Sequence, residues 1–468
     1  MARKRNTATV LQRRLRTAVR LFPLLVFAVV CYLQFRTISR FSPTAPCDDD
    51  TSRRAAMDDD LIDRLRESVT FLPLRDPRKR RAGEWFISAL NDTSEPDGEA
   101  RNIVLPSAAS SGRLLCVRAP PGTDAAYALA WRDALAWRDA LPRGAALRPG
   151  LTFVSEMSYD YRNLWHGLSA LVPFASWHAR SGCRAVPARW ALFHHGAAVR
   201  TGASAWLASL TEAATGAEMA VETFPDAAAA SAAPACFEEA VVFRRQMEGL
   251  SRARLLGAFE FMRCKARSHC GVAPAPAPAT QSPALCVTLL FRDGARAFKD
   301  EAAVSRVFGA ECARAAGSGC AVATARAGNL TFCEQVALLS GTDVLVSAHG
   351  AQLTNMLFMD RNSSVMELYP LGWRQRAGGG QFVYRWMADR AGMRHEGSWW
   401  DPHGEPCPDS PDILSCYKDR QIGIDEAYFA RWAAKVFAAA MERKKRRGGG
   451  EASGEERRRE AADDCGCS

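Results

Sequence analysis

Hydrophobic residues along this chain fall into runs of strand length, separated by stretches with helical spacing. Leu151-Thr152-Phe153-Val154 and Ala240-Val241-Val242-Phe243 are short and apolar, and they predict buried strands. Cys286-Val287-Thr288-Leu289-Leu290-Phe291 repeats the pattern, with a helix expected over about Glu301–Arg314 and a strand near Cys320-Ala321-Val322. A further strand is predicted at Val344-Leu345-Val346. It stops at Ser347-Ala348-His349-Gly350-Ala351, small residues around one histidine. Leu353, Met356, Leu357 and Met359 then recur at roughly helical spacing, and Val365-Met366-Glu367-Leu368-Tyr369 predicts the next strand. The outline is a βαβ unit with its polar residues at the carboxyl end of the first strand, where open α/β sheets bind ligands. A helix starting near Gly350 or Ala351 would aim free N–H groups at a phosphate. A packed βαβ segment without a ligand has the same outline.

Strands alternate with helices on both sides of Val272-Ala273-Pro274-Ala275-Pro276-Ala277-Pro278-Ala279, an alternating Pro/Ala stretch that reads as an extended linker. Two α/β lobes are therefore expected, over residues 84–271 and 285–441, joined by 272–284. The second should close with an apolar helix over Tyr428–Met441. Residues 442–468 are charged and Gly-rich and read as a disordered tail. The near-repeat Ala130–Leu135 and Ala136–Leu141 is too short for a solenoid period and suggests one helix ended by Pro142.

Charge changes the picture of the first fifty residues. The net charge is +10, yet residues 1–47 hold nine basic residues and no acid, so the remainder is almost neutral. That distribution argues against a nucleic-acid footprint. Basic residues precede the apolar run Leu21–Phe35, which reads as a signal anchor (21–35) behind a cytoplasmic tail (1–20) and ahead of a polar stem (36–83). An Arg-rich organelle transit peptide is the alternative. Fifteen cysteines suggest disulfides and an oxidising lumen. Cys407 with Cys416, or Cys264 with Cys270, would be the pairs to consider for zinc, with disulfides preferred. Sequons at Asn91, Asn329 and Asn362 are candidate glycosylation sites.

The string His349-Gly350-Ala351-Gln352-Leu353-Thr354-Asn355, followed by a strand carrying Glu367, resembles glycosyltransferase family 61. Members of that family include plant N-glycan xylosyltransferases, xylan arabinosyl- and xylosyltransferases, and secretory-pathway O-GlcNAc transferases. Two shorter blocks extend the likeness. Phe291–Asp300 matches the family's paired arginines at Arg292 and Arg296, with Asp300 in place of the usual Asn. Tyr159–His166 is similar to its N-L-aromatic-H block at Asn163, Leu164, Trp165 and His166. The resemblance implies a GT-B-like fold of two Rossmann-like lobes with an N-terminal single-pass membrane anchor.

The resemblance also implies an inverting, metal-independent transfer of a xylose, arabinose or N-acetylglucosamine from a UDP-sugar to a glycan or glycoprotein, in the Golgi. No D-x-D follows a strand, and no cofactor beyond the UDP-sugar is expected. Arg292, Arg296, His349, Gly350, Ala351, Thr354, Asn355 and Glu367 would bind the donor, Glu367 accepting from ribose hydroxyls. Without that context, Arg292 and Arg296 read as a surface pair bridging Asp293 or Asp300, and Glu367 as a solvent-facing strand carboxylate. Asn163 would face the acceptor. The family's Asp four residues beyond His166 is Ala170 here, leaving Asp160, Glu156 and His166 as candidate bases. That gap makes a non-catalytic nucleotide-sugar or glycan-binding protein the competing expectation.

Overall fold

A computed structural model of the chain describes residues 102–105, 115–117, 146–157, 163–194, 197–198, 204–221, 235–243, 250–272, 285–376, 382–409, 413–449 and Cys465. The expected tail, anchor and stem lie outside these residues. So do the repeat at 130–141, most of the Pro/Ala linker, Asn91, Asp160 and the side chain of Glu156. Among the described residues no helix is long and apolar enough to cross a membrane.

The first sheet is mixed. β3 (Ala146–Met157) lies between β4 (Pro187–His194) and β7 (Ala235–Phe243), parallel to both. β1 (Asn102–Leu105) and β2 (Leu115–Val117) add antiparallel to β7, and β5 (Ala197–Ala198) adds antiparallel to β4. β6 (Ala220–Val221) pairs parallel with β4. The antiparallel edges set this sheet apart from the Rossmann-like lobe expected. Three helices complete the region: α1 (Leu164–Arg180), α2 (Ala205–Thr215) and α3 (Arg252–His269). Asn163 starts α1 as its N-cap, accepting from Trp165 N–H at 3.1 Å, as an amide at that position should.

The second sheet is wholly parallel. Its strands are β8 (Leu285–Phe291), β9 (Cys320–Arg326), β10 (Val344–Ala348), β11 (Ser364–Tyr369) and β12 (Arg394–Trp400). They run β12-β11-β10-β8-β9 across the sheet. β8, β10 and β11 are apolar almost throughout, as strands covered on both faces must be. α4 (Glu301–Ala316) links β8 to β9, and α5 (Phe332–Ser340) links β9 to β10. After β11 come a short turn α6 (Trp373–Arg376), α7 (Val383–Arg390), α8 (Ile413–Asp419) and α9 (Glu426–Gly449). α9 continues eight residues beyond the Met441 boundary, because Arg443 donates to Ser364 at 2.6 Å and Lys444 pairs with Asp343 at 2.6 Å. The region is mixed α/β with parallel sheets, which fits a Rossmann-like glycosyltransferase fold.

One apolar core joins the two sheets, from Leu168 and Phe259 on one side to Leu345, Leu353 and Leu357 on the other. The far face of the second sheet packs α4 and α9 around Phe308, Phe429 and Phe437. Disulfides join Cys264 to Cys465, Cys270 to Cys333, Cys312 to Cys320 and Cys407 to Cys416. Cys264 and Cys270 are therefore not partners, and Cys465 is held although it belongs to the stretch expected to be disordered.

Candidate active site

Strand order places the site. Numbered within its own sheet, the second sheet runs 2-1-3-4-5, and the order reverses between β8 and β10. At such a reversal the crossovers leave to opposite faces, and open α/β sheets bind ligands at the carboxyl ends of the two strands. Arg292 and Arg296 follow β8, and His349 and Gly350 follow β10, so two blocks remote in sequence meet at one edge.

The arginine loop is tightly held. Arg296 N–H donates to the Arg420 carbonyl at 2.9 Å, Lys299 N–H donates to the Ile422 carbonyl at 2.9 Å, and Ile422 N–H donates to the Ala297 carbonyl at 2.8 Å across the same gap. Arg296 adopts a left-handed backbone (φ 60°), a conformation that costs a non-glycine residue of order 1 kcal/mol and collects at functional positions. Neither guanidinium is neutralised. Asp293 pairs with Arg326 and the Asp300 carboxylate caps α4, so the carboxylates that could have made this a surface pair are engaged elsewhere. Among the described residues Arg292 and Arg296 form no ion pair, and both Nε atoms are buried without a hydrogen-bond partner. Among the described residues the one hydrogen bond of the Arg292 side chain runs to Gln352 Oε1, at 3.3 Å. Burial first, and then the neighbouring Arg292 charge, pushes the Arg296 guanidinium down to about 10, so it stays protonated at neutral pH. Burial also lowers Arg292.

A third orphaned donor lies beside them. Trp373 Nε1 is buried and unpartnered, and Arg296 sits over its ring at 5.8 Å. No sequence motif points to Trp373; its only signal is an aromatic residue just beyond a strand end of the βαβ unit. Orphaned donors, two of them on cations, suit an anionic ligand with several acceptor oxygens.

The His349 loop closes the other side. The segment Ala351–Phe358 is a 3-10 helix, not the α-helix expected from its spacing, because Leu353 to Phe358 are all buried and must be enclosed on every side. Gly350 caps its start, with Arg292 Nη1 in the space that a Cβ on Gly350 would fill. Thr354 and Asn355 point inward and are fully buried, and Asn355 accepts from Trp206 Nε1 of α2 at 2.9 Å. Asn355 thereby braces the loop against α2.

Glu367 is fully buried, not a solvent-facing carboxylate. His349 Nδ1 lies 2.6 Å from its Oε1 and His395 Nε2 lies 2.8 Å from its Oε2. Burial alone would raise the carboxyl, but the two imidazoles hold it below the usual carboxylate range. His349 stacks on Tyr369 at 4.6 Å and meets Tyr384 edge-on at 5.3 Å. Trp165, next to Asn163 and His166 in α1, packs on Tyr384 at 6.1 Å. The first-lobe block thus reaches the site through one aromatic layer. Ala170, by contrast, is buried in the core.

An all-parallel sheet with two buried arginines at its switch point has the layout at which open α/β sheets bind ligands. Residues 240–366 match the family model described as Glycosyltransferase 61, and the match supports membership of that family. That match supports glycosyltransferase activity in general, with a donor and an acceptor substrate. No curated protein matches the chain.

Proposed function

We propose that this chain is an inverting glycosyltransferase of GT-B-like architecture that moves a pentose or N-acetylglucosamine from a UDP-sugar to a glycan or glycoprotein hydroxyl. The observation that carries it is the pair of buried, unpartnered Nε atoms on Arg292 and Arg296 at the β8–β10 switch point. A diphosphate offers the oxygens these groups lack. The acceptor oxygen attacks the anomeric carbon, its proton passes to a base, and the bond to UDP breaks. The leaving charge falls on the two guanidiniums. Because those cations supply the countercharge, the reading needs no divalent ion, and EDTA should leave turnover unchanged. The disulfides among the described residues fit an oxidising compartment and support a Golgi lumenal location behind an N-terminal anchor.

The test is a panel of UDP-sugars with the purified full-length chain, read as released UDP. Arg292→Ala and Arg296→Ala should each lower turnover at least 100-fold with an unchanged fold by circular dichroism. Full activity in both purified variants would sink the site. One observation favours a second reading, a protein that binds nucleotide sugars without turnover: Ala170 stands in the core where the family carries a carboxylate. UDP binding with no release from any donor would select it.

A further inference from the structure

β12 brings a second histidine into contact with the site. His395 is 6% exposed at its side chain, and its Nδ1 accepts from Gly397 N–H at 3.3 Å. An accepting Nδ1 carries no proton, so Nε2 does, and it donates to Glu367 Oε2. The other oxygen, Oε1, then accepts from His349 Nδ1. Glu367 acts as acceptor toward both rings, which assigns the His349 proton to Nδ1. Turning the His349 ring over would carry Nδ1 away from Glu367 Oε1, and the residue's backbone N–H is tied to the Leu368 carbonyl at 2.7 Å. Nε2 is what remains for a substrate.

We propose that His395 is a positioning residue which, through Glu367, fixes His349 so that its Nε2 lone pair accepts a hydrogen bond from a hydroxyl of the bound donor. The proposal rests on this site taking a UDP-sugar. It divides the work of the site. A lone pair repels phosphate oxygens, so the diphosphate belongs to Arg292 and Arg296, and His349 reads a sugar hydroxyl, either on the ribose or on the transferred sugar. Glu367 then acts behind His349 and does not touch the ribose itself.

The experiment uses the full-length chain with 15N-labelled histidine. Long-range 1H–15N spectra report the tautomer of each ring, and His349→Phe identifies the His349 signals. In the wild-type protein His349 should be a single Nδ1–H tautomer. In His395→Phe it should become a mixture, with UDP-sugar affinity about 10-fold or more weaker, the scale on which such outer partners of a histidine act. His395→Gln, whose amide restores a donor, should recover most of the loss. An unchanged His349 tautomer in a folded His395→Phe overturns the proposal. If that variant does not fold, Glu367→Gln serves, since an amide oriented by His395 would present its N–H to Nδ1 and reverse the tautomer; an unreversed tautomer overturns it equally. Binding by His349→Phe separates the two hydroxyls, because equal losses for UDP and UDP-sugar mark the ribose, and a loss for UDP-sugar alone marks the transferred sugar. No loss with either sinks the contact. A wild-type protein that binds but releases no UDP would refute turnover while leaving the tautomer result standing.

Discussion

Gly350 has an extended backbone that any residue adopts (φ 163°), so space is what requires glycine there. A Cβ would collide with Arg292 Nη1 and the Gln352 side chain. Gly350→Ala should therefore fold normally but displace the Arg292 guanidinium. UDP binding should weaken by about 1.5–3 kcal/mol, the worth of one hydrogen bond to a charged group, measurable by calorimetric titration. Glu367 makes a different prediction. Its folded pKa lies below the unfolded value of about 4.3. Its contribution is therefore complete above that value and is lost as pH falls through the folded pKa. Glu367→Gln should melt well below the wild-type protein at neutral pH, and the gap should narrow under acid conditions. A gap independent of pH would mean the carboxylate is not ionised in the folded state.

Among the elements, α3 belongs by sequence to the first lobe yet is bonded to the second. Arg263, 2% exposed, donates to the carbonyls of Leu357 at 2.9 Å and Ala391 at 3.0 Å. Arg263→Met should leave both carbonyls unsatisfied and destabilise the protein by about 2–5 kcal/mol in a denaturant titration. What sequence reveals about these elements follows the same physics. β8, β10 and β11 were legible because continuous apolar runs of that length have few other uses, whereas Arg292, Arg296 and His349 were singled out by the family resemblance and not by the strand pattern. The Ala351–Phe358 segment was placed correctly but mistyped, since helical spacing of apolar residues does not separate a 3-10 from an α-helix when all faces are buried. β12 reads Arg-His-Glu-Gly-Ser-Trp-Trp, with no apolar period, so His395 could not be found from pattern. Trp373 and the mixed first sheet were hidden for a like reason: both depend on contacts between residues far apart in the chain.

At the scale of the molecule, a Pro/Ala stretch that looks like a hinge coexists with a core that is continuous across it. Opening the two sheets apart would expose Phe259, Leu353 and Phe358 to water. The described region should therefore unfold in a single calorimetric transition with matching calorimetric and van't Hoff enthalpies; two separated transitions would show independent lobes.

The Cys264–Cys465 bond also sets a timetable. Chains are made from the N-terminus, and Cys264 waits through 201 positions before its partner exists. Cys270, Cys312, Cys320, Cys333, Cys407 and Cys416 all emerge first. A cell making this chain must keep the Cys264 thiol in reserve or reshuffle a premature bond before α3 can be fastened to the late-made Cys465.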